Sequence, residues 1–257
     1  MSIRRCRISS PRLQVTDHAF LGTGVGFGVA EASIEHGMTV HISSSHPSRI
    51  ATKVDQLKRS YPAARVSGHV CDLGTIDTLE VNVKRLFDSV GNVDHIVYTA
   101  GDALAGVDIR QLDVATITKL GTVRFYAPLL VAKYALQHLT PTPSSSITLT
   151  TGAVAERPIP HWSALSAFAA GLHGMVRGLA FDLKPIRVNL VSLGAVDTEF
   201  WKMPAEDKQK IFRVREAQSL TGKIGRVEDV AQSYVYLMTD QNITGTVVST
   251  DSGMLLL

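Results

Sequence analysis

The chain has 257 residues, 45% of them hydrophobic and 19% charged, enough apolar material for one α/β unit with a sizeable core. Its 26 basic and 23 acidic residues give a net charge of +3 and are spread along the chain, so no basic footprint for nucleic acid stands out. Cys6 and Cys71 match no metal-ligand spacing and suit free thiols in a reducing compartment. No apolar run reaches the roughly 18 residues of a membrane span, so no membrane contact is expected. The opening MSIRRCRISSPRL lacks the apolar centre of a signal peptide, although its composition leaves a transit peptide or a loose arm open. A soluble cytoplasmic protein is the expectation.

In chain order, short β-branched runs alternate with longer helical stretches, the pattern of βαβ units feeding a doubly wound parallel sheet. Strands are predicted over residues 17–21, 38–43, 65–70, 94–98, 145–150, 187–192 and 246–250. Helices are predicted over 26–36, 48–60, 78–90, 123–139, 163–183 and 227–238, with Pro47, Pro62, Pro141 and Pro143 punctuating the loops. Without repeats or low-complexity tracts, residues 1–257 read as a single domain. Residues 197–222 break the alternation and read as a helical flap of the kind that covers a substrate.

The first predicted strand runs into Gly22-Thr23-Gly24-Val25-Gly26-Phe27-Gly28, at the start of the first helix. Backbone N–H groups at a helix N-terminus attract a pyrophosphate, and side chains in the turn would obstruct its approach. Gly22, Gly24, Gly26, Phe27 and Gly28 are therefore candidate phosphate-loop residues, with a flexible strand-to-helix turn as the alternative. The glycines fall as G-x-x-x-G-x-G, not in the G-x-G-x-x-G spacing of other dinucleotide folds. The second strand ends in Ser43-Ser44-Ser45-His46-Pro47-Ser48-Arg49, with no acidic residue for ribose hydroxyls. Ser44, Ser45 and Arg49 suit a 2′-phosphate that a carboxylate would repel, so NADP(H) is expected over NAD(H). A polar loop with a solvated arginine is the other reading.

Together these segments resemble the short-chain dehydrogenase/reductase (SDR) family, whose own glycine spacing is G-x-x-x-G-x-G. Cys71-Asp72-Leu73 is similar to the family's D-[LV], whose aspartate holds the adenine, and Thr99-Ala100-Gly101 to its N-A-G. Arg187-Val188-Asn189 resembles R-V-N; Leu193 through Thr198 resembles P-G-x-[VI]-x-T, with Leu193 replacing the proline and Val196 and Thr198 placed at the nicotinamide amide. Thr244-Gly245-Thr246 and Asp251-Ser252-Gly253 resemble the family's T-G-x and D-G-G. The resemblance implies a Rossmann-type SDR fold, a nicotinamide cofactor bound by Asp72, Leu73, Ala100, Gly101, Val196 and Thr198 among others, and a homodimer or homotetramer built from two long helices.

The family's catalytic serine and its Y-x-x-x-K pair, in which a tyrosine donates a proton with a lysine's help, should also be visible. Aligned on Gly171-Leu172-His173-Gly174, the tyrosine position holds Leu165 and the lysine position Ala169, neither of which transfers a proton. The serine position falls on Thr151 or Gly152, and the family's structural asparagine on Arg124. A charged Arg124 facing a closed cavity needs a partner or a polar ligand, which makes it and Thr151 the catalytic candidates. A solvated helix face or a subunit contact would explain Arg124 equally. Asp102, His161, Ser163 and Ser166 are possible proton donors with ordinary capping or packing roles as alternatives.

VHISSSHPSRI, LGTVRFYAPLLVAK, SSSITLTTG, GLAFDLKPIRVN and the tail SGMLLL are similar to a divergent fungal SDR branch of specialised metabolism. Its best-defined relatives are the reductase/Diels-Alderase enzymes of malbrancheamide-type indole alkaloid pathways, which also lack Y-x-x-x-K and carry an arginine matching Arg124. They pair it with an aspartate where this chain has Ile159. The resemblance implies a reductase acting on an activated electrophile such as an iminium, within a polycyclic natural-product intermediate. A cyclase, Diels-Alderase or isomerase without net redox change and a catalytically inactive binding subunit are the alternatives.

Overall fold

The computed structural model describes residues 17–21, by backbone, and 24–102, 106–199, 201 and 203–257. Cys6 and the proposed loop residue Gly22 lie outside the described residues. Strands β1 (Asp17–Leu21), β2 (Thr39–Ser44), β3 (Val66–Val70), β4 (His95–Tyr98), β5 (Ser146–Gly152), β6 (Arg187–Leu193) and β7 (Val247–Thr250) form one sheet, ordered β3-β2-β1-β4-β5-β6-β7. Every neighbouring pair is parallel, for example His18↔His95 between β1 and β4 and Ser146↔Arg187 between β5 and β6. Parallel neighbours require crossovers, supplied chiefly by α1 (Val25–Glu35), α2 (Pro47–Ser60), α3 (Ile76–Val90), α4 (Val114–Gly121), α5 (Ala127–Ala135), α6 (Ser163–Asp182), α7 (Ala205–Ala217) and α8 (Val227–Thr239).

Alternating strand side chains feed two cores. On β4, Ile96 and Tyr98 pack with α3, α5 and α6, whereas Val97 faces α1 and α8; on β6, Val188 and Leu190 take the first side and Val191 the second. The chain winds away from β1 toward β2 on one side and β4 on the other. A crevice therefore opens at the carboxyl ends of β1 and β4, the topological switch point where ligands of open α/β sheets bind.

The strands begin and end within two residues of their predicted bounds. The predicted helix 123–139 is corrected: α4 starts at Val114, a π-helical segment follows over Thr122–Tyr126, and α5 ends at Ala135. The β-branched run Val114-Ala115-Thr116-Ile117-Thr118 argues against helix by propensity. Asp113 overrides it by accepting the Thr116 N–H at 2.7 Å. In the π segment the Tyr98 hydroxyl donates to the Val123 carbonyl at 2.5 Å, satisfying a group the wider turn loosens.

Among the described residues α6 is long and apolar enough, by length and composition, to cross a membrane, although His173 and Arg177 interrupt its apolar run. Small apolar residues bring its mean hydropathy to 1.2 over a spanning length, yet it packs on β5 and β6 with Leu165, Leu172 and Val176 buried. In the predicted flap, α7 has no buried residue. Its base is pinched by a bridge in which Gly225 N donates to Ala195 O and Asp197 N to Gly225 O, both at 3.0 Å. The Trp201 indole donates to Val196 O at 2.8 Å and meets Phe212 of α7 edge to face.

Candidate active site

Three loops converge at the switch point because glycines let them touch. Gly24 has φ 70° and its carbonyl accepts the N–H groups of Phe27 and Gly28 at 3.0 and 3.3 Å, turning the chain into α1. A Cβ on Gly26 would lie 2.4 Å from Thr99 Oγ1 after β4, and one on Gly28 would lie 2.1 Å from Val227 of α8. On Gly24 it would come within 3.2 Å of Thr198 Cβ, from the segment after β6. The first turn of α1 carries no acidic side chain, so its positive end is free of an internal carboxylate. This narrow turn, at the positive end of the α1 dipole, fits a pyrophosphate.

Beside it, Phe27, Ser43, Ser44, Arg49, Ile50 and Lys53 line a crevice in which the Ser43 hydroxyl is buried without a hydrogen-bond partner. The crevice adjoins a cavity of about 320 Å3 lined by His46, Ser48, Arg49, Thr52, Lys53 and Glu199. Arg49 makes no ion pair with a described residue. Two cations and several hydroxyls fit a phosphate monoester. Ser45 is exposed and lines neither cavity. Lys53 escaped the sequence reading, although it stands one helical turn beyond Arg49 on the same face of α2.

At the end of β3 the Asp72 carboxylate accepts the Gly74 N–H at 2.9 Å and the Thr75 hydroxyl at 2.7 Å, which fixes its orientation. Leu73 is core, and Cys71 is a buried thiol whose pKa burial raises to about 11, leaving it protonated and inert.

The chemical centre is built from β4, the π segment, β5 and α6. Arg124 lies over Gly101, where a Cβ would come within 3.1 Å of its Nη1. Its Nε stands 2.9 Å from Asp102 Oδ1, an ion pair without the alignment of a hydrogen bond, while Nη2 donates to the Asp102 carbonyl. Burial presses the guanidinium pKa down and the Asp102 carboxylate opposes that shift. Arg124 therefore faces a carboxylate rather than a solvated helix surface, and that carboxylate comes from Asp102, not from the position of Ile159. The Thr151 hydroxyl donates to Ala169 O at 3.0 Å, so its proton is engaged by the α6 backbone. Leu165 is buried.

Of the other donor candidates, the Ser166 hydroxyl is buried without a hydrogen-bond partner, Ser163 is exposed, and His161 is exposed with φ 65°. Val196 is buried at the flap base. Among the described residues no group of three or more His, Cys, Asp or Glu side chains gathers as a metal site.

Residues 13–257 match the family model of an SDR-like Rossmann domain. The chain belongs to the short-chain dehydrogenase/reductase family. It is 43% identical over 242 residues, 91% of each chain, to the short-chain dehydrogenase/reductase fsr5 of Gibberella fujikuroi. To malC of Malbranchea aurantiaca it is 40% identical over 241 residues, again 91% of each chain. The solved structure of that protein, named MalC reductase/Diels-Alderase, superposes with TM-score 0.92 and 38% identity over 96% of this chain and 98% of that one. A small-chain dehydrogenase solved in complex with NADPH matches with TM-score 0.75 and 25% identity over 95% of this chain and all of the other. This SDR thus stands among fungal relatives of the branch its sequence resembles.

Proposed function

We propose that this SDR is an NADP(H)-dependent reductase that delivers a hydride to an electrophile needing no protonation, such as an iminium in a polycyclic natural-product intermediate of a fungal pathway. The observation that carries this reading is a loop whose Gly24, Gly26 and Gly28 leave no room for side chains, taken with apolar Leu165 and Ala169 at the positions where the SDR resemblance puts tyrosine and lysine. When bound, the reduced nicotinamide supplies the hydride. Gly24, Gly26, Phe27 and Gly28 would hold its pyrophosphate, Ser44 and Arg49 its 2′-phosphate, Asp72 and Leu73 its adenine. Ala100, Gly101, Val196 and Thr198 would flank its nicotinamide end; Ser45 is placed only at the rim.

Arg124 and Asp102 act as a fixed dipole beside the reacting atoms: the carboxylate faces a cationic substrate while the guanidinium, 2.9 Å away through Nε, holds it in orientation. Hydride addition to an iminium carbon pushes the C=N electron pair onto nitrogen, so no proton is required and the loss of tyrosine and lysine costs nothing. A ketone would need a donor, and the Thr151 hydroxyl is engaged in its hydrogen bond to the Ala169 carbonyl. The flap over 197–222 would exclude water from the exchange. The test supplies cyclic iminium and ketone substrates with NADPH deuterated at the transferable position. Deuterium at the former iminium carbon with no ketone turnover supports the reading; ketone reduction at a comparable rate overturns it.

The likeness to a reductase/Diels-Alderase favours a second reading, a cyclase or isomerase without net redox change. It predicts cyclised product carrying no deuterium and no consumption of NADPH. An inactive binding subunit predicts neither. The expected setting is the cytoplasm, and the expected assembly a homodimer or homotetramer through α5 and α6.

A further inference from the structure

Glu199 and Lys53 meet across the mouth of the cavity beside Arg49. Glu199 Oε1 lies 2.7 Å from Lys53 Nζ although the residues are 146 apart in sequence. The lysine side chain is only 15% exposed and its Nζ stands 4.5 Å above the Phe27 ring of the phosphate loop, whereas the glutamate side chain is 67% exposed. Glu199 directly follows Thr198, which packs on Gly24, and it begins the segment that leads to α7. An acidic side chain here is unexpected, because the same cavity gathers Arg49, Lys53, Ser48 and Thr52, a set suited to an anion.

We propose that Glu199 is an internal stand-in for the 2′-phosphate of NADP(H). In the free chain it holds Lys53 in place; on binding it surrenders Lys53 to the phosphate and swings outward. The proposal rests on the NADP(H) reading above and goes beyond it by making Lys53 a specificity residue and Glu199 its opponent. A phosphate monoester carries up to twice the charge of a carboxylate and three acceptor oxygens, so it displaces a partner this exposed. Once displaced, Glu199 is repelled by the phosphate. The start of the flap is thereby tied to the adenosine end of the cofactor, and NADH, lacking the phosphate, leaves the Lys53–Glu199 pair closed.

Calorimetric titration of the full chain with 2′,5′-ADP and with 5′-ADP tests this without a nicotinamide or a turnover. Glu199→Gln should tighten 2′,5′-ADP by roughly three- to fivefold, the scale of one exposed ion pair, and leave 5′-ADP unchanged. Lys53→Met should weaken 2′,5′-ADP by about tenfold, again sparing 5′-ADP. In the Lys53→Met background the gain from Glu199→Gln should vanish. An unchanged or weaker 2′,5′-ADP affinity in Glu199→Gln, or a gain that persists without Lys53, overturns the stand-in while a wild-type preference for 2′,5′-ADP leaves the NADP(H) reading intact. A wild-type chain that binds the two nucleotides equally overturns both.

Discussion

Gly26 has no room for a side chain, since its Cβ would intrude on the Thr99 hydroxyl after β4. Gly26→Val should therefore push the two loops apart and raise the NADPH Kd by more than about 100-fold, read from nicotinamide fluorescence, with an unchanged far-UV spectrum. Retained tight binding would place the phosphates elsewhere. Arg187 is a different kind of residue: wholly buried, it donates to the carbonyls of Pro143 at 2.5 Å, Leu237 at 2.6 Å and Met238 at 2.7 Å, binding β6 to the end of α8. Arg187→Met leaves those carbonyls unpaired, so a loss of at least about 3 kcal/mol in urea unfolding is expected. Its charge, after burial, also helps hold the pKa of His95 down to about 3. Below pH 6.5 the unfolded chain protonates this imidazole and the folded chain does not, until about pH 3. Stability should thus fall on acidification by about 1.4 kcal/mol per pH unit across that window, and His95→Asn should remove one proton from the slope between pH 7 and 5. An identical slope in the variant would assign the proton to another group, such as His69, whose pKa burial also lowers.

The central strands β4, β5 and β6 were readable because each is buried nearly throughout, the edge strands β3 and β7 because short β-branched runs stand between turn residues, and the glycine loop because a Cβ at Gly26 or Gly28 would clash. The same local logic missed α4, where one aspartate cap outweighs a β-branched run, and it could not see the π segment, whose wider turn depends on Tyr98 from β4 reaching Val123. Arg124 was legible as a charge needing a partner; that the partner is Asp102 depends on how β4 and the π segment meet, which no spacing encodes. Lys53 and Glu199 were likewise invisible as a pair. The flap illustrates the limit in the other direction: its helix was expected, but that α7 has no fully buried residue and is tied mainly at its ends, by the Val196–Gly225 bridge, Trp201, the Lys208–Asp197 ion pair and the Leu220 N–H on the Ser252 carbonyl, is not encoded locally. Amides of α7 should therefore exchange orders of magnitude faster than those of β5 and β6, with the separation measured by mass spectrometry. Equal protection would mean that α7 is covered by a contact outside the chain.

At the scale of the molecule, the two cores account for the sheet but leave one side of α5 and α6 unfinished. Of the twenty residues of α6 only Leu165, Leu172 and Val176 are buried, and Phe181 is 74% exposed. Cβ atoms added at Gly174 or Gly178 would meet nothing within 4 Å, so neither glycine is demanded by the packing of its own chain. On α5 Leu129, and just after it Leu136, are likewise exposed. An apolar, small-residue helix face of this kind allows close helix-to-helix approach by a second copy, and burying it would supply the hydrophobic contact that a lone chain forgoes. The wild-type protein should elute as a dimer or tetramer by light scattering. Gly174→Arg should shift it toward monomer while leaving the affinity for 2′,5′-ADP within about twofold, because the cavity proposed for the 2′-phosphate is lined by the loop after β2, α2 and Glu199 rather than by α6. A wild-type monomer would remove the second copy from the account, and a dimer indifferent to Gly174→Arg would move the interface to another face. Loss of nucleotide binding together with dimerisation would show that this surface also supports the cofactor site.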